Sequence, residues 1–315
     1  MIVSPMADAA MAGVLGLLVG SFLNVVIHRL PKMMFREWLD ESTDNFVPAE
    51  GMPSLWQLVF GSGASTPKDL AAAATAALPQ VRALPALSLA SPRSRCPACG
   101  HAIKWYENIP VVSYIALRGK CSACATRISL RYPLVELATG VAFMVVASHW
   151  GLTPVGLAWA VFAAILIAQF LIDFDTQLLP DSLNYPLLWL GLLVAALGWN
   201  IRLDSAVWGA IGGYLSLWSV YQLHHRLTGK VGMGHGDFKL LAALGAWFGA
   251  KSLLALILLS SIVGAAVGGA LIVVGKLAHK DIPIPFGPFI AGAGLVAMAA
   301  GPAKLQQWLP FAFPF

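Results

Sequence analysis

Long apolar segments separated by short polar loops make up the chain from residue 133 onward, and one further apolar segment, residues 9–27, precedes them. Each is close to the length of about 20 residues that an α-helix needs to cross a bilayer. The pattern predicts eight membrane-spanning helices, of which the last seven lie near residues 133–149, 154–173, 183–200, 206–225, 238–250, 252–275 and 287–308. The segment 238–250 is short for a span and could be half-inserted. We therefore expect an all-α polytopic membrane protein.

The composition agrees with this pattern. Of the 315 residues, 58% are hydrophobic and only 11% are charged, whereas an ordinary soluble domain carries about 25% charged residues. Twelve of the 20 Lys and Arg residues fall within residues 29–131, the one long polar stretch. Because cytoplasmic loops of membrane proteins carry an excess of these residues, we predict that this stretch is cytoplasmic.

The charges around the first span predict the orientation of the chain. No basic residue precedes this span, whereas Arg29 and Lys32 follow it, which is the reverse of a cleavable signal peptide. We expect the span to remain in the protein, with the N-terminus on the outer side. Alternation across the bilayer then places three later loops on the cytoplasmic side, at residues 173–181, 229–239 and 276–286.

The sequence predicts three regions: a first transmembrane helix (residues 1–28), a cytoplasmic loop (29–132) and a membrane domain (133–315). Within the loop, residues 33–92 resemble a poorly ordered, variable insert, with acidic residues followed by a Gly/Ser/Pro stretch. An alanine-rich run could form a short helix there, which Pro79 is expected to end. The rest of the loop, residues 94–131, is predicted to be a small ordered module.

Small and polar residues within the spans predict sites of helix packing. Ser21 and Asn24 lie in the first span, where hydrogen bonding between helices is a more common role than chemistry. Two pairs of glycines have the four-residue spacing that lets helices approach closely, namely Gly209 with Gly213 and Gly264 with Gly268.

All four cysteines lie in the small module and form two Cys-x-x-Cys turns about twenty residues apart, Cys96-Pro97-Ala98-Cys99 and Cys121-Ser122-Ala123-Cys124. Four thiolates match the tetrahedral preference of Zn²⁺, and a reducing compartment makes disulfides unlikely as the default. With no ligand position left open, such a zinc ion is structural. The alternative is four unligated or redox-active thiols. The aromatic stretch between the turns, residues 103–110, could lie on the membrane surface or form the core of the module.

Two acidic sites lie at membrane edges. Asp173 closes an otherwise apolar span, where a carboxylate is costly and functional by default. Asp237 follows glycines in Gly234-His235-Gly236-Asp237, and glycine lets another backbone come close. Both residues have structural alternatives: Asp173 could mark the membrane boundary, and Asp237 could cap a helix beginning at Phe238. Nearby, Asp175 is interpreted as loop solvation and Asp181 as the N-cap of the next helix.

Two carboxylates at one depth can share a proton, so that one acts as base on a water molecule and the other as acid. Such a pair titrates as a unit, and the sequence leaves open which aspartate is the base. Metal catalysis by His224, His225 and His235 is disfavoured, because the first two point to different helix faces. A transporter using intramembrane carboxylates is the competing class, and a scaffold built on the cysteine turns is a third.

Six motifs in order resemble the bacterial type IV prepilin leader peptidases: Gly20-Ser21-Phe22-Leu23-Asn24, the paired Cys-x-x-Cys turns, Arg131-Tyr132-Pro133-Leu134-Val135-Glu136, Leu178-Leu179-Pro180-Asp181, Gly234-His235-Gly236-Asp237-Phe238-Lys239 and Pro285-Phe286-Gly287-Pro288. The resemblance implies an inner-membrane aspartic protease of the Gly-x-Gly-Asp type. Such an enzyme cuts the leader from type IV prepilins and type II secretion pseudopilins at the cytoplasmic face.

The resemblance also implies residue roles and a second activity. The catalytic aspartates carry over to Asp173 and Asp237, and the metal-binding cysteines to Cys96, Cys99, Cys121 and Cys124. Members of this family commonly N-methylate the newly exposed residue with S-adenosylmethionine. The sequence shows no usual glycine-rich methyltransferase fingerprint, so the donor site is not placed, and residues 94–131 are its natural candidate. The particular pilins cut and the oligomeric state are not predicted.

Overall fold

The computed structural model describes residues 5–47, 52–274 and 285–308. Within these ranges the regular elements are helical, and extended pairing is confined to two isolated bridges. The α-helices are α1 Pro5–Asp44, α2 Leu55–Phe60, α3 Lys68–Arg82, α4 Val112–Ala116, α5 Arg131–Trp150, α6 Pro154–Thr176, α7 Asp181–Ala196, α8 Leu203–Thr228, α9 His235–Phe248, α10 Leu253–Val273 and α11 Gly287–Trp308. The predicted all-α class is confirmed.

A helix is present at each of the eight predicted span positions, but several of these helices are shorter or less apolar than a membrane span requires. Among the residues that the structure describes, four helical segments are long and apolar enough to cross a membrane, namely Met6–Asp44, Arg131–Trp150, Pro154–Thr176 and Ala250–Val273, and Gly287–Gly301 is a shorter apolar helix. The count of eight spans stays a prediction. Most of the predicted loop at residues 276–286 lies outside the described residues.

The chain forms two compact units, one comprising Met1–Ile27 with Lys104–Phe315 and the other His28–Ile103. In the first unit, α6 and α9 supply the core. Trp159, Phe162 and Trp247 pack together, with ring centroids 4.6–5.0 Å apart. The Trp247 indole N–H donates to the Leu187 carbonyl of α7 at 2.9 Å, so this buried indole is satisfied.

Glycines set the distance between α8 and α9. A Cβ built on Gly209 would collide with the carbonyl of Gly245, and one built on Gly213 would lie 2.6 Å from the Leu241 carbonyl oxygen. The predicted close packing at this glycine pair is confirmed. At the other pair, Gly264 packs against the Phe289 ring of α11.

Polar residues of α1 join it to α5, as predicted. The Asn24 amide donates to the Tyr132 carbonyl at 3.1 Å, and the Ser21 hydroxyl hydrogen-bonds the Glu136 carboxylate. Hydrogen bonding between helices is therefore what these two side chains do.

The second unit is more ordered than the sequence indicated. Helix α1 continues to Asp44, and α3 runs to Arg82, so the expectation that Pro79 ends it is wrong. Pro79 lies in the last turn, where its missing N–H removes a single helical hydrogen bond, and its own carbonyl still accepts from Ala83. Buried Arg29 donates to the carbonyls of residues 88 and 92 at 2.8 and 2.6 Å and so fixes that segment to α1.

Candidate active site and cysteine site

Asp173 lies in the last turn of α6 and is 4% exposed. The helix ends there because Gln177 adopts a left-handed conformation (φ 56°), and its N–H donates to the Asp173 carbonyl at 2.8 Å. The side chain of Asp173 accepts a hydrogen bond from the N–H of Gly287, the first residue of α11. One carboxylate oxygen, Oδ2, is buried without a hydrogen-bond partner.

Asp237 lies in the first turn of α9 and is 7% exposed. The helix begins at His235 with Gly234 as N-cap, three positions earlier than the sequence indicated. The Gly234 N–H donates to the Asp237 carboxylate. The side chain therefore satisfies a backbone donor at the start of the helix, as the reciprocal half of a capping box does, although it is not itself the cap.

The two aspartates are close enough to interact electrostatically. Burial raises the pKa of Asp237 to about 7, and the negative charge of Asp173 adds to the rise. Because like charges oppose simultaneous ionisation, such a pair holds one proton near neutral pH. The structure thus brings together, from α6 and α9, the two carboxylates that the sequence predicted as a pair.

Glycines around the pair allow the backbone to approach very closely. A Cβ built on Gly287 would lie 2.5 Å from Asp173 Oδ2 and 2.9 Å from Leu179 Cδ1, and one built on Gly236 would lie 2.7 Å from Leu179 Cβ. The side chain of Leu179 therefore lies between these two glycines. The close neighbour of Gly236 is thus this leucine side chain and not another backbone.

A buried amide pair adjoins the site and was not found by sequence reasoning. The Gln169 side-chain amide donates to Asn184 Oδ1 at 3.0 Å, and the Asn184 amide points to the Leu179 carbonyl at 3.4 Å. Gln169 precedes Asp173 by one helical turn and is fully buried. The sequence signal that could have identified Gln169 is a polar residue inside an apolar helix. The pair supports the loop that carries Leu179.

Two ion pairs flank the aspartates and correct two expectations. Asp175, interpreted as loop solvation, forms two hydrogen bonds with Arg131 of α5, at 2.8 and 2.5 Å. Asp181, interpreted as an N-cap, is the first residue of α7 behind the N-cap Pro180. Lys239 donates to both of its carboxylate oxygens at 2.7 Å. The Asp181 carboxylate therefore pairs with a lysine of α9 and does not cap α7.

The histidines do not form a metal site with the aspartates. His225 stacks on Tyr221, and His235 packs against Tyr221 and Phe238. Among the residues that the structure describes, the group of side chains close enough to hold a metal ion is the four cysteines.

The two cysteine turns have the same backbone design. In the first, the Cys96 N–H donates to the His101 carbonyl and its own carbonyl accepts from Gly100; in the second, Cys121 makes the same bonds with Thr126 and Ala125. Gly100 (φ 72°) and Ala125 (φ 57°) are both left-handed at this shared position. Each turn thereby presents its two thiols from one tight loop.

The four cysteine sulfurs, of Cys96, Cys99, Cys121 and Cys124, lie within 4.8 Å of one another. A tetrahedral zinc ion with bonds of about 2.3 Å requires sulfur separations of about 3.8 Å. The cluster can therefore hold a metal ion with small movements, and its donor set matches Zn²⁺.

Comparison with known proteins agrees with this geometry. The sequence profile described as "Bacterial Peptidase A24 N-terminal domain" matches residues 14–150, and the one described as "Type IV leader peptidase family" matches residues 160–269. A protein of Stutzerimonas stutzeri named "Prepilin leader peptidase/N-methyltransferase" is 48% identical over 310 residues, which cover 98% of this chain and 96% of the relative. The chain belongs to the type IV leader peptidase family.

Two further relatives carry the same name. The Pseudomonas aeruginosa protein is 47% identical over 98% of this chain and 96% of its own length, and a Burkholderia pseudomallei protein is 45% identical over 93% and 85%. The comparison with solved structures gives no significant match. In this leader peptidase, the region matched by the second profile contains both aspartates, and that matched by the first contains all four cysteines.

Proposed function

We propose that this protein is a membrane endopeptidase that removes the leader peptide from type IV prepilins and type II secretion pseudopilins, and then N-methylates the new N-terminal residue. Membership of the leader peptidase family and the shared name of its relatives support both activities. The observation that carries the protease assignment is the pairing of Asp173 with Asp237, two buried carboxylates at helix ends that interact electrostatically.

Asp173 and Asp237 act as one catalytic pair that holds a single proton. The ionised carboxylate takes a proton from water as the water attacks the scissile carbonyl, and the protonated carboxylate gives its proton to the departing amine. Hydrogen bonds from the Gly287 and Gly234 backbones fix the orientation of the two carboxylates. Oδ2 of Asp173 has no hydrogen-bond partner within the protein, and we assign the attacking water to this oxygen.

Methylation is assigned to a separate part of the protein. S-adenosylmethionine supplies the methyl group when bound, and the module at residues 94–131 is the proposed location of its site. Within that module, Cys96, Cys99, Cys121 and Cys124 hold a structural zinc ion, since four thiolates leave no position open for a substrate.

The protein is a multi-pass protein of the inner membrane. We place its N-terminus in the periplasm and the aspartate pair at the cytoplasmic face, following the excess of Lys and Arg in residues 29–131. The transporter alternative is not supported by the relatives. Both aspartates also lie at helix ends, whereas an ion path requires carboxylates within the spans.

The test is incubation of the purified protein with a prepilin and S-adenosylmethionine, followed by mass measurement of the product. The expected product has lost its leader and gained one methyl group. The matched control is Asp204→Asn, which alters an exposed aspartate at the start of α8 and should leave both reactions intact. An uncut prepilin with well-folded wild-type protein would contradict the proposal.

A further inference from the structure

An exposed apolar ridge lies just before α5 and has no role in the chemistry above. It comprises five side chains of the short 3₁₀ helix Trp105–Asn108 and of α4 with its preceding residues, namely Trp105, Tyr106, Ile109, Val112 and Ile115. Trp105 is 81% exposed, Ile115 68% and Val112 61%. Val112 and Ile115 are three residues apart in α4 and are therefore neighbours on the surface of that helix.

A strained turn holds this ridge in place. Val111 has φ 60° and ψ −46°, and the Val112 N–H bonds to the Pro110 carbonyl, which together form a γ-turn of positive φ. A β-branched residue rarely adopts such a conformation, and the strain costs about 1–3 kcal/mol. The surrounding structure must therefore fix this turn against relaxation.

Glu136 provides that restraint. Its buried carboxylate accepts the Val111 N–H at 2.8 Å and hydrogen-bonds the Ser21 hydroxyl of α1. The helices meet so closely here that a Cβ built on Gly20 would lie 2.7 Å from the Glu136 Cα. A carboxylate inside a candidate span is expensive, and here it anchors the turn before α4 to two membrane helices.

The position of this anchor sets the depth of the ridge. Glu136 lies five residues into α5, or about 8 Å along the helix axis. Leu130, the N-cap of α5, and Leu134, near the start of that candidate span, are themselves exposed and apolar. The ridge is thus tethered at the level where a lipid-facing helix begins.

The charges around the ridge also favour a position at the membrane surface. Lys104, Arg118 and Lys120 are exposed at its two ends, and the Lys104 ammonium lies 5.6 Å from the centre of the Tyr106 ring. Aromatic and aliphatic side chains bordered by basic residues are typical of segments that lie in the headgroup region, where Trp and Tyr are enriched. We propose that Trp105, Tyr106, Ile109, Val112 and Ile115 form a membrane-surface anchor that inserts into the headgroup layer of an anionic bilayer.

The test is photocrosslinking of the full-length protein in native membranes. Val112→p-benzoylphenylalanine and Ile115→p-benzoylphenylalanine variants are irradiated with a co-expressed prepilin present, and the adducts are identified by mass. The control is the same replacement at Asp69, an exposed acidic position at the start of α3. We expect lipid adducts at both ridge positions at about five times the control yield or more. Adducts with the prepilin in place of lipid, or lipid yields equal to the control, would overturn the proposal.

A second measurement tests the anchor itself. Glu136→Ala removes the acceptor of the Val111 N–H, whereas Glu136→Gln keeps a carbonyl oxygen there. In the background of the Ile115 photocrosslinker, the lipid yield should fall in the first variant and persist in the second. A lipid yield in Glu136→Ala equal to that of the protein with Glu136 unchanged would show that Glu136 does not hold the ridge in place. Should Glu136→Ala fail to accumulate, the yields at positions 112 and 115 in the otherwise unchanged protein still decide the proposal.

Discussion

Arg131 and Asp175 form an ion pair through two parallel hydrogen bonds, which ties the first residue of α5 to the last turn of α6. Asp175 follows Asp173 by two residues. At the other half of the site, Lys239 follows Asp237 by two residues and is paired with Asp181 of α7. Each proposed catalytic carboxylate is therefore followed by a charge that fixes its helix end to a neighbouring helix.

The first prediction distinguishes the proposed catalytic aspartates, Asp173 and Asp237, from the neighbouring Asp175, which only forms an ion pair. Asp173→Asn and Asp237→Asn should each reduce leader cleavage by at least about 10²-fold, since each removes a proton-transfer group. Asp175→Asn should cost about fivefold or less, because a partly exposed ion pair contributes about 1 kcal/mol at most. Cleavage rates of variants with equal membrane accumulation decide this. A near-normal rate for either of the first two variants would show that the pair is wrongly assigned.

The second prediction concerns the close contact of Gly287 with Asp173. Gly287→Ala should reduce cleavage by about 10²-fold, because the added methyl group would displace the carboxylate oxygen that lies 2.5 Å away. Gly292→Ala is the matched control in the same helix, where the nearest atom to the new Cβ, in Phe170, is 3.8 Å away. If both variants cleave at the same rate, the contact at Gly287 does not position the carboxylate.

The third prediction is a pH dependence. Asp237 has its pKa raised to about 7, so it keeps its proton at lower pH and loses it as the pH rises through that value. A mechanism that needs one shared proton then loses its acid, and kcat/KM for cleavage should fall by about tenfold for each pH unit above 7. The assay uses a fixed detergent mixture, and Asp204→Asn should keep the same profile. A rate that still rises above pH 8 would contradict the shared proton.

The fourth prediction concerns the cysteine cluster. The purified protein should contain about one zinc ion per chain, and Cys96→Ser or Cys121→Ser should lower the zinc content and loosen the module. Ala125→Gly should leave zinc binding intact, because glycine adopts the left-handed conformation of this position without strain. Metal analysis and protease sensitivity report both effects. Protein purified without chelator that holds no zinc, with all four thiols open to alkylation, would refute the structural-zinc proposal.

The fifth prediction separates the two activities. Methyl transfer requires an amine and a donor held in line, and neither aspartate takes part. Asp237→Asn protein given a mature pilin segment with a free N-terminal Phe should therefore still methylate it, while Cys96→Ser should impair methylation at least as much as cleavage. Tritium transferred from labelled S-adenosylmethionine is counted in the peptide, with unfolded enzyme as the blank. Wild-type transfer with none from folded Asp237→Asn protein would show that the activities are not separable.

The sequence was sufficient to predict the helical class and to pair Asp173 with Asp237, the first from its place at the end of an apolar span and the second from its glycine motif. Their catalytic role stays a prediction. The sequence was not sufficient for Asp175 and Asp181. Their partners lie 44 and 58 residues away in the chain, and local rules for loops and caps cannot include them.

The buried polar residues that hold the neighbouring loops in place could not be identified from the sequence, for a related reason. Gln169 and Glu136 are single polar residues in apolar helices, and only the packed structure shows what each one bonds. The length of α3 was underestimated because Pro79 was treated as a stop. In a helix that is otherwise favourable, proline removes only one hydrogen bond.

The location of both aspartates at helix ends also bears on the permeability of the membrane. Hydrolysis needs water, and a carboxylate pair in the middle of the spans would need a hydrated passage to reach it. Asp173 lies in the last turn of α6 and Asp237 in the first turn of α9, and the proposed cytoplasmic location of these two ends would let water reach the pair from the aqueous phase. A protease built in this way would break a peptide bond at the bilayer without opening a leak for protons or ions through it.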